Sequence, residues 1–82
     1  MYKITMKIDG MMCGMCEAHI NDVIRKNVSD AKKVISSHSK GESSFLCSVI
    51  PDMELLKEAI RQTGYDVKDV RWEEYKKKWS LV

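Results

Sequence analysis

Apolar and polar residues alternate from Tyr2 to Ile8. A period of two predicts a β-strand with one buried face. Three later segments also have the composition of strands, although the second is rich in serine. The predicted strands are residues 2–8, 31–38, 44–50 and 65–72. Val34 and Ser36 are expected to face inward in the second, Phe45, Cys47 and Val49 share one face of the third, and Val67 and Val70 are the apolar residues of the fourth.

Two segments instead repeat apolar residues at the spacing of an α-helix. The first helix is predicted to begin close to Cys16, and the second follows Asp52, a typical N-cap, and ends before Gly64. The apolar stripes are Ile20, Val23 and Ile24 in the first helix, and Met53, Leu56, Ala59 and Ile60 in the second. The element order βαββαβ predicts an α+β ferredoxin-like sandwich, a four-stranded antiparallel sheet with two helices on one face.

The length of 82 residues fits one domain, which we place at residues 1–72, followed by a C-terminal tail at 73–82. Spaced aromatic residues at the end of the domain and in the tail would share one face if this segment were helical. Packing onto the sheet and contact with a partner or a second copy are both open for them. They are Trp72, Tyr75 and Trp79.

Charge and hydropathy exclude several classes of protein. Fourteen basic and 12 acidic residues leave a net charge of +2, and the one dense basic cluster, Lys76–Lys78, is expected to be a solvated end, so we expect no nucleic-acid binding. No segment reaches the roughly 18 apolar residues of a membrane helix, and the N-terminus lacks a signal-peptide pattern. We expect a cytoplasmic protein, and no enzyme, since no nucleophile–base arrangement or phosphate loop is visible.

The stretch Met11-Met12-Cys13-Gly14-Met15-Cys16 carries the candidate chemistry. In a reducing compartment a C-x-x-C pair indicates metal binding or redox chemistry. Cys16 should lie at a helix N-terminus, where N–H groups stabilise a thiolate, whereas Cys47 should be buried. Structural zinc and iron–sulfur clusters need about four ligands. Two thiolates suit Cu(I), and Hg(II) would fit the same geometry.

The segment Gly10–Cys16, followed by Ile20, resembles the G-M-x-C-x-x-C-x-x-x-I signature of the heavy-metal-associated domain family. Thr63–Val67 resembles the G-Y-D-V segment of that family, and the resemblance covers about residues 2–72. Members include copper chaperones, metal-binding domains of copper- and zinc-transporting P-type ATPases, and mercury-binding proteins. A chain of this length is most similar to the bacterial copper chaperones.

This resemblance implies that Cys13 and Cys16 bind the metal. It also implies that Met11 is a buried anchor of the loop and that Tyr65 lies near the cysteines. The expected function is then transfer of Cu(I) to a metal-transporting P-type ATPase, or to its metal-binding domain, through a three-sulfur intermediate.

Three residues beside the pair are accessory candidates. Met12 and Met15 could form an apolar rim for a partner or assist Cu(I) weakly. His19 is expected to face solvent, but as a third ligand it would favour Zn(II). A carrier, sink or sensor of Zn(II), Cd(II) or Hg(II) and a thiol–disulfide protein therefore remain as alternatives. We expect a monomer, which a shared metal ion could bridge into a dimer.

Overall fold

The computed structural model describes residues 1–75, and the predictions for Trp79 and for Lys76–Lys78 lie outside the described residues. Within these residues, four strands form one antiparallel sheet in the order β2-β3-β1-β4, and this arrangement confirms the predicted ferredoxin-like sandwich. The elements are β1 (Tyr2–Asp9), α1 (Gly14–Asn27), β2 (Lys32–Ser37), β3 (Glu42–Cys47), α2 (Met53–Gln62) and β4 (Asp66–Glu74).

The core lies between the two helices and one face of the sheet. Ile4, Met6 and Ile8 of β1 are fully or almost fully buried, as the alternation of the sequence predicts, and Tyr2 on the same face is half-buried. Burying each such side chain contributes about 1.5–3 kcal/mol, which makes this layer the main source of stability. The principal core residues are Ile4, Met6, Ile8, Ile20, Ile24, Phe45, Cys47, Leu56 and Ile60.

Helix α2 has the ends that its sequence predicts. The side chain of Asp52 accepts hydrogen bonds from the N–H groups of Glu54 and Leu55 at 3.1 and 3.3 Å. Gly64 follows the helix with a φ of +100°, a conformation that residues with a Cβ rarely adopt. No helix within residues 1–75 is long and apolar enough to cross a membrane.

Strand β3 ends earlier than the sequence pattern predicts. We expected it to reach Ile50 with Val49 facing inward, but β3 ends at Cys47 and Val49 is 73% exposed. The chain leaves the sheet here because the backbone N–H of Ser48 donates to the carboxylate of Asp30 at 2.7 Å. That prediction for Val49 was therefore wrong.

Strand β4 extends beyond the predicted residue 72 to Glu74, and the N–H of Tyr75 then donates to the carbonyl of Met1 at 2.9 Å. The ring of Trp72 packs edge-on against that of Tyr2, with the ring centres 5.8 Å apart. The division into a domain at 1–72 and a tail at 73–82 stays a prediction.

Strand β2 contacts α1 and β3 through hydrogen bonds between polar side chains. Ser36 faces inward as predicted, and its hydroxyl donates to Asn21 Oδ1 of α1 at 2.6 Å. The same hydroxyl bonds to that of Ser43, which is 1% exposed on β3. The register of β2 against β3 shifts between Lys32 and Ile35. The serine-rich composition of β2 is thus explained by a hydrogen-bonded group of polar side chains between α1 and the sheet, formed by Asn21, Ser36 and Ser43.

Candidate functional site

The two cysteines lie in and beside the loop that joins β1 to α1. We call residues 10–15 the cysteine loop. Helix α1 begins at Gly14, two residues before the predicted start near Cys16, so that Cys13 occupies the N-cap position. The Cys13 carbonyl accepts from the N–H groups of Cys16 and Glu17 at 3.1 and 3.4 Å. The Cys13 side chain makes no capping hydrogen bond, and the residue is exposed.

The sulfur atoms of Cys13 and Cys16 are 3.9 Å apart. The residues are not joined by a disulfide, and Cys16 is half-buried beneath the more exposed Cys13. Two zinc–sulfur bonds placed end to end span up to about 4.6 Å. A small rotation of either side chain would therefore let one thiophilic ion lie between the sulfurs.

The pKa of Cys16 is lowered from its ordinary value of 9.0 to about 7. The largest cause is a hydrogen bond from the backbone N–H of Met12, followed by one from the hydroxyl of Tyr65, and both outweigh the opposing effect of partial burial. Cys16 lies in the first turn of α1, so the helix N-terminus that the sequence predicted for this thiol is present beside these two donors.

Tyr65 lies where the family resemblance suggested, beneath the cysteine loop. Its ring is largely buried, and its own pKa is raised, chiefly by the hydrogen bond to Cys16. A β-carbon at Gly10 would lie 3.3 Å from the Cδ1 atom of the Tyr65 ring. The loop therefore follows the face of the ring closely at Gly10, where φ is +103°.

The three methionines of the loop divide into one buried and two exposed side chains. Met11 is buried in the main core cluster with Tyr65, which agrees with an anchoring role. Met12 and Met15 are 82% and 72% exposed. Thioether groups thus flank the cysteines on the outer surface of this end of the molecule.

His19 is exposed on α1. Within residues 1–75, no group of three or more His, Cys, Asp or Glu side chains is arranged to hold a metal ion. Metal ligation by His19 stays a hypothesis.

A contact beside the loop links Glu17 to His38 and was not predicted. Glu17 Oε2 accepts from the backbone N–H of His38 at 2.8 Å and lies 2.6 Å from its Nδ1 atom. These bonds lower the pKa of Glu17, with the backbone bond as the largest cause. The two residues lie 21 positions apart, so that no local sequence pattern connects them.

Cys47 is fully buried and is remote from the cysteine loop. It lies opposite Tyr2 in the sheet, at the start of β1, whereas the cysteine loop follows the end of that strand. Burial raises the pKa of its thiol. The third cysteine is therefore a core residue, as its sequence context predicted.

No protein-family model and no curated protein matches this chain. Solved structures do match it. The CopZ metallochaperone is 24% identical, with 80% of this chain and 98% of that chain covered and a TM-score of 0.68. A copper-binding domain from the P-type ATPase HMA7 is 21% identical, with 83% and 92% covered and a TM-score of 0.67.

The yeast copper transporter domain CCC2A, solved in apo and Cu(I)-loaded states, is 22% identical, with 83% of this chain and 93% of that chain covered and a TM-score of 0.69. At these identities the likeness establishes a shared fold. The chain therefore has the ferredoxin-like fold of copper chaperones and of ATPase copper-binding domains, which is the fold that its resemblance to heavy-metal-associated domains implied.

Proposed function

We propose that this protein binds one Cu(I) ion between Cys13 and Cys16 and transfers it to a partner that carries a similar pair of thiolates. The observation that supports the proposal most directly is the geometry of the pair. Two sulfurs lie 3.9 Å apart at the surface, and the pKa of one of them is about 7. Because thiolates are the forms that bind metals, this pair is prepared for a soft cation at neutral pH.

Cu(I) suits this donor set better than the harder divalent ions do. Soft thiolate ligands select Cu(I), whereas a structural zinc site is usually completed by four protein ligands. A Cu(I) ion held by two sulfurs keeps room for a third. The names of the structural neighbours, a metallochaperone and copper-binding domains, support the same choice of metal.

Transfer would proceed by exchange of thiolates without a change of oxidation state. A partner thiolate would bond to the ion while both cysteines still hold it, and the bond to one of them would then break. Cys13 is the better candidate to leave first, since it is the more exposed. A second partner sulfur then completes the new site, and the remaining bond to Cys16 breaks.

The partner that we propose is a metal-transporting P-type ATPase or its metal-binding domain. The shared fold with an ATPase copper-binding domain supports this choice, because two domains of one fold can present their cysteine loops to each other. Met12 and Met15 would form the apolar rim of that contact. On this proposal the protein catalyses no covalent reaction and acts in a reducing compartment, for which we propose the cytoplasm.

A competition titration tests the proposal. Reduced apo-protein is titrated with Cu(I) against a chelator of known affinity, and the loaded species is counted by native mass spectrometry. We expect one ion per chain, and we expect Cys13→Ser and Cys16→Ser each to lower the affinity by orders of magnitude while the circular dichroism spectrum is retained. Cys47→Ala is the matched control, since it removes a thiol that lies far from the loop.

Undiminished Cu(I) binding in the Cys13→Ser/Cys16→Ser double variant would rule the proposal out. Parallel titrations with Zn(II), Cd(II) and Hg(II) test the alternative cargoes, and a tighter Zn(II) complex would replace Cu(I) in this scheme. Turnover of a Cys13–Cys16 disulfide by a reductase would instead indicate a thiol–disulfide protein.

A further inference from the structure

Glu17 is the acidic residue that follows the cysteine pair directly in the chain. Glu17 lies in the first turn of α1, four positions after Cys13. The N–H of Glu17 bonds to the carbonyl of Cys13, and Glu17 directly follows Cys16 in the chain. The Glu17 side chain therefore starts from the same turn of α1 that carries the cysteine pair.

In the structure the Glu17 carboxylate is turned toward the β2–β3 hairpin. One of its oxygens, Oε2, accepts both the backbone N–H and the imidazole of His38, at 2.8 and 2.6 Å. The imidazole bond requires the proton on Nδ1, because an ionised carboxylate only accepts. The hairpin is itself fixed beside β1, since the N–H of Ile8 donates to the carbonyl of Gly41 at 2.8 Å. The Glu17 side chain is thus bonded to a hairpin that is itself hydrogen-bonded to β1.

Carboxylate and thiolate ligands favour different metal ions, so the position of the Glu17 side chain affects which ion binds best. A carboxylate oxygen is a hard ligand, and it binds Zn(II) together with sulfur or nitrogen ligands. Two thiolates and one carboxylate would make a three-ligand site with an open position, a common arrangement for Zn(II). Cu(I) gains little from a hard oxygen.

We infer that His38 is a specificity-determining residue, which holds the Glu17 carboxylate away from Cys13 and Cys16 and so keeps the site limited to two sulfurs. This inference rests on the proposed metal binding by the cysteine pair. The β2–β3 hairpin would then help to select the ion, although it contributes no ligand.

The variant His38→Ala tests the inference, because it removes the imidazole bond and leaves only the backbone bond to Glu17. Zn(II) and Cu(I) affinities are measured separately by competition titration. We expect the Zn(II) affinity to rise by about 10-fold, the scale of effect that hydrogen bonds beside metal ligands usually have. The Cu(I) affinity should remain close to that of the unmodified protein.

Three further variants assign the effect to the carboxylate. Adding Glu17→Gln to His38→Ala should abolish the gain, since the hard ligand is then absent. His38→Asn should behave like the unmodified protein, because its side-chain amide can replace the Nδ1 donor. Ser39→Ala is the matched control, a substitution in the same hairpin that removes a hydroxyl bonded to Ser37 and not to Glu17.

An unchanged ratio of Zn(II) to Cu(I) affinity in folded His38→Ala would overturn the inference and leave the proposed function intact. A gain that persists after Glu17→Gln would also overturn it. Failure of the unmodified protein to bind Cu(I) would instead refute the proposed function. If His38→Ala does not fold, His38→Leu offers a second way to remove the Nδ1 donor, because leucine has no hydrogen-bonding group, and the same outcomes apply.

Discussion

The hydroxyl of Tyr65 lowers the pKa of the Cys16 thiol, and the pKa of Tyr65 is raised in return. The two residues come from distant parts of the chain, since Cys16 lies in the first turn of α1 and Tyr65 directly precedes β4. The pairing of β4 with β1 brings them together, with Asp66 opposite Asp9 at the end of the sheet that carries the cysteine loop. The lowered pKa of the Cys16 thiol therefore depends on the pairing of β4 with β1.

We expect Tyr65→Phe to raise the pKa of Cys16 from about 7 toward 9.0, because it removes a donor that stabilises the thiolate. Alkylation of Cys16, followed by mass spectrometry across a pH series, measures this pKa, since the thiolate is the reactive form. The midpoint should move to higher pH and the rate at neutral pH should fall. Tyr2→Phe removes a hydroxyl at the opposite end of the sheet and serves as the control. An identical midpoint in Tyr65→Phe and the unmodified protein would contradict the assigned hydrogen bond.

Two glycines of the cysteine loop should respond oppositely to an added methyl group. Gly10 has a φ of +103° and faces the Tyr65 ring, so Gly10→Ala should lower the free energy of unfolding by about 1–2 kcal/mol. A Cβ at Gly14 meets no atom within 4 Å, and the residue is helical. Gly14→Ala should therefore leave stability unchanged or raise it by up to about 1 kcal/mol. Urea denaturation of both apo-proteins checks the pair, and equal effects would show that neither conformation nor the ring contact limits Gly10.

The buried serine pair should be strongly non-additive. Ser36→Ala leaves the hydroxyl of Ser43 without the described partner, which costs about 1–3 kcal/mol when a polar group is buried. Ser43→Ala has the smaller effect, because Ser36 keeps its bond to Asn21. The double variant should therefore be more stable than the sum of the single effects predicts. Denaturant unfolding of the unmodified protein, the two single variants and the double variant measures this coupling. Additive changes in the free energy of unfolding would refute it.

The elements that sequence patterns predicted well are those with one clearly apolar face. The alternation in β1 and the stripe in α2 directly report which side chains are buried, and their positions need no knowledge of the other elements. Val49 had the same pattern, yet Asp30 removes the backbone of Ser48 from the strand. That interaction depends on how two distant segments pack, so it cannot be predicted from the alternation of apolar and polar residues alone.

Some features of the candidate site could likewise be predicted from the sequence, and others depend on the packing of distant segments. The spacing of Cys13 and Cys16 and the buried Met11 follow from local sequence or from the family resemblance. The bonds from Glu17 to His38, and the share of Met12 and Tyr65 in the pKa of Cys16, depend on strand register and on where α1 begins. Serine in β2 indicated a polar strand, but only its partners across the interior show why those hydroxyl groups are tolerated.

The irregular β2 also bears on aggregation. It is an edge strand, and an exposed edge offers backbone groups to which a strand of another molecule can add. The shift of register between Lys32 and Ile35, with Lys33 at a φ of 50°, interrupts that row of groups, and the lysines place positive charge on it. Another copy of a chain with net positive charge would meet both a broken hydrogen-bonding ladder and electrostatic repulsion there. The same irregularity that weakens the period-two pattern of β2 therefore opposes intermolecular β-sheet formation.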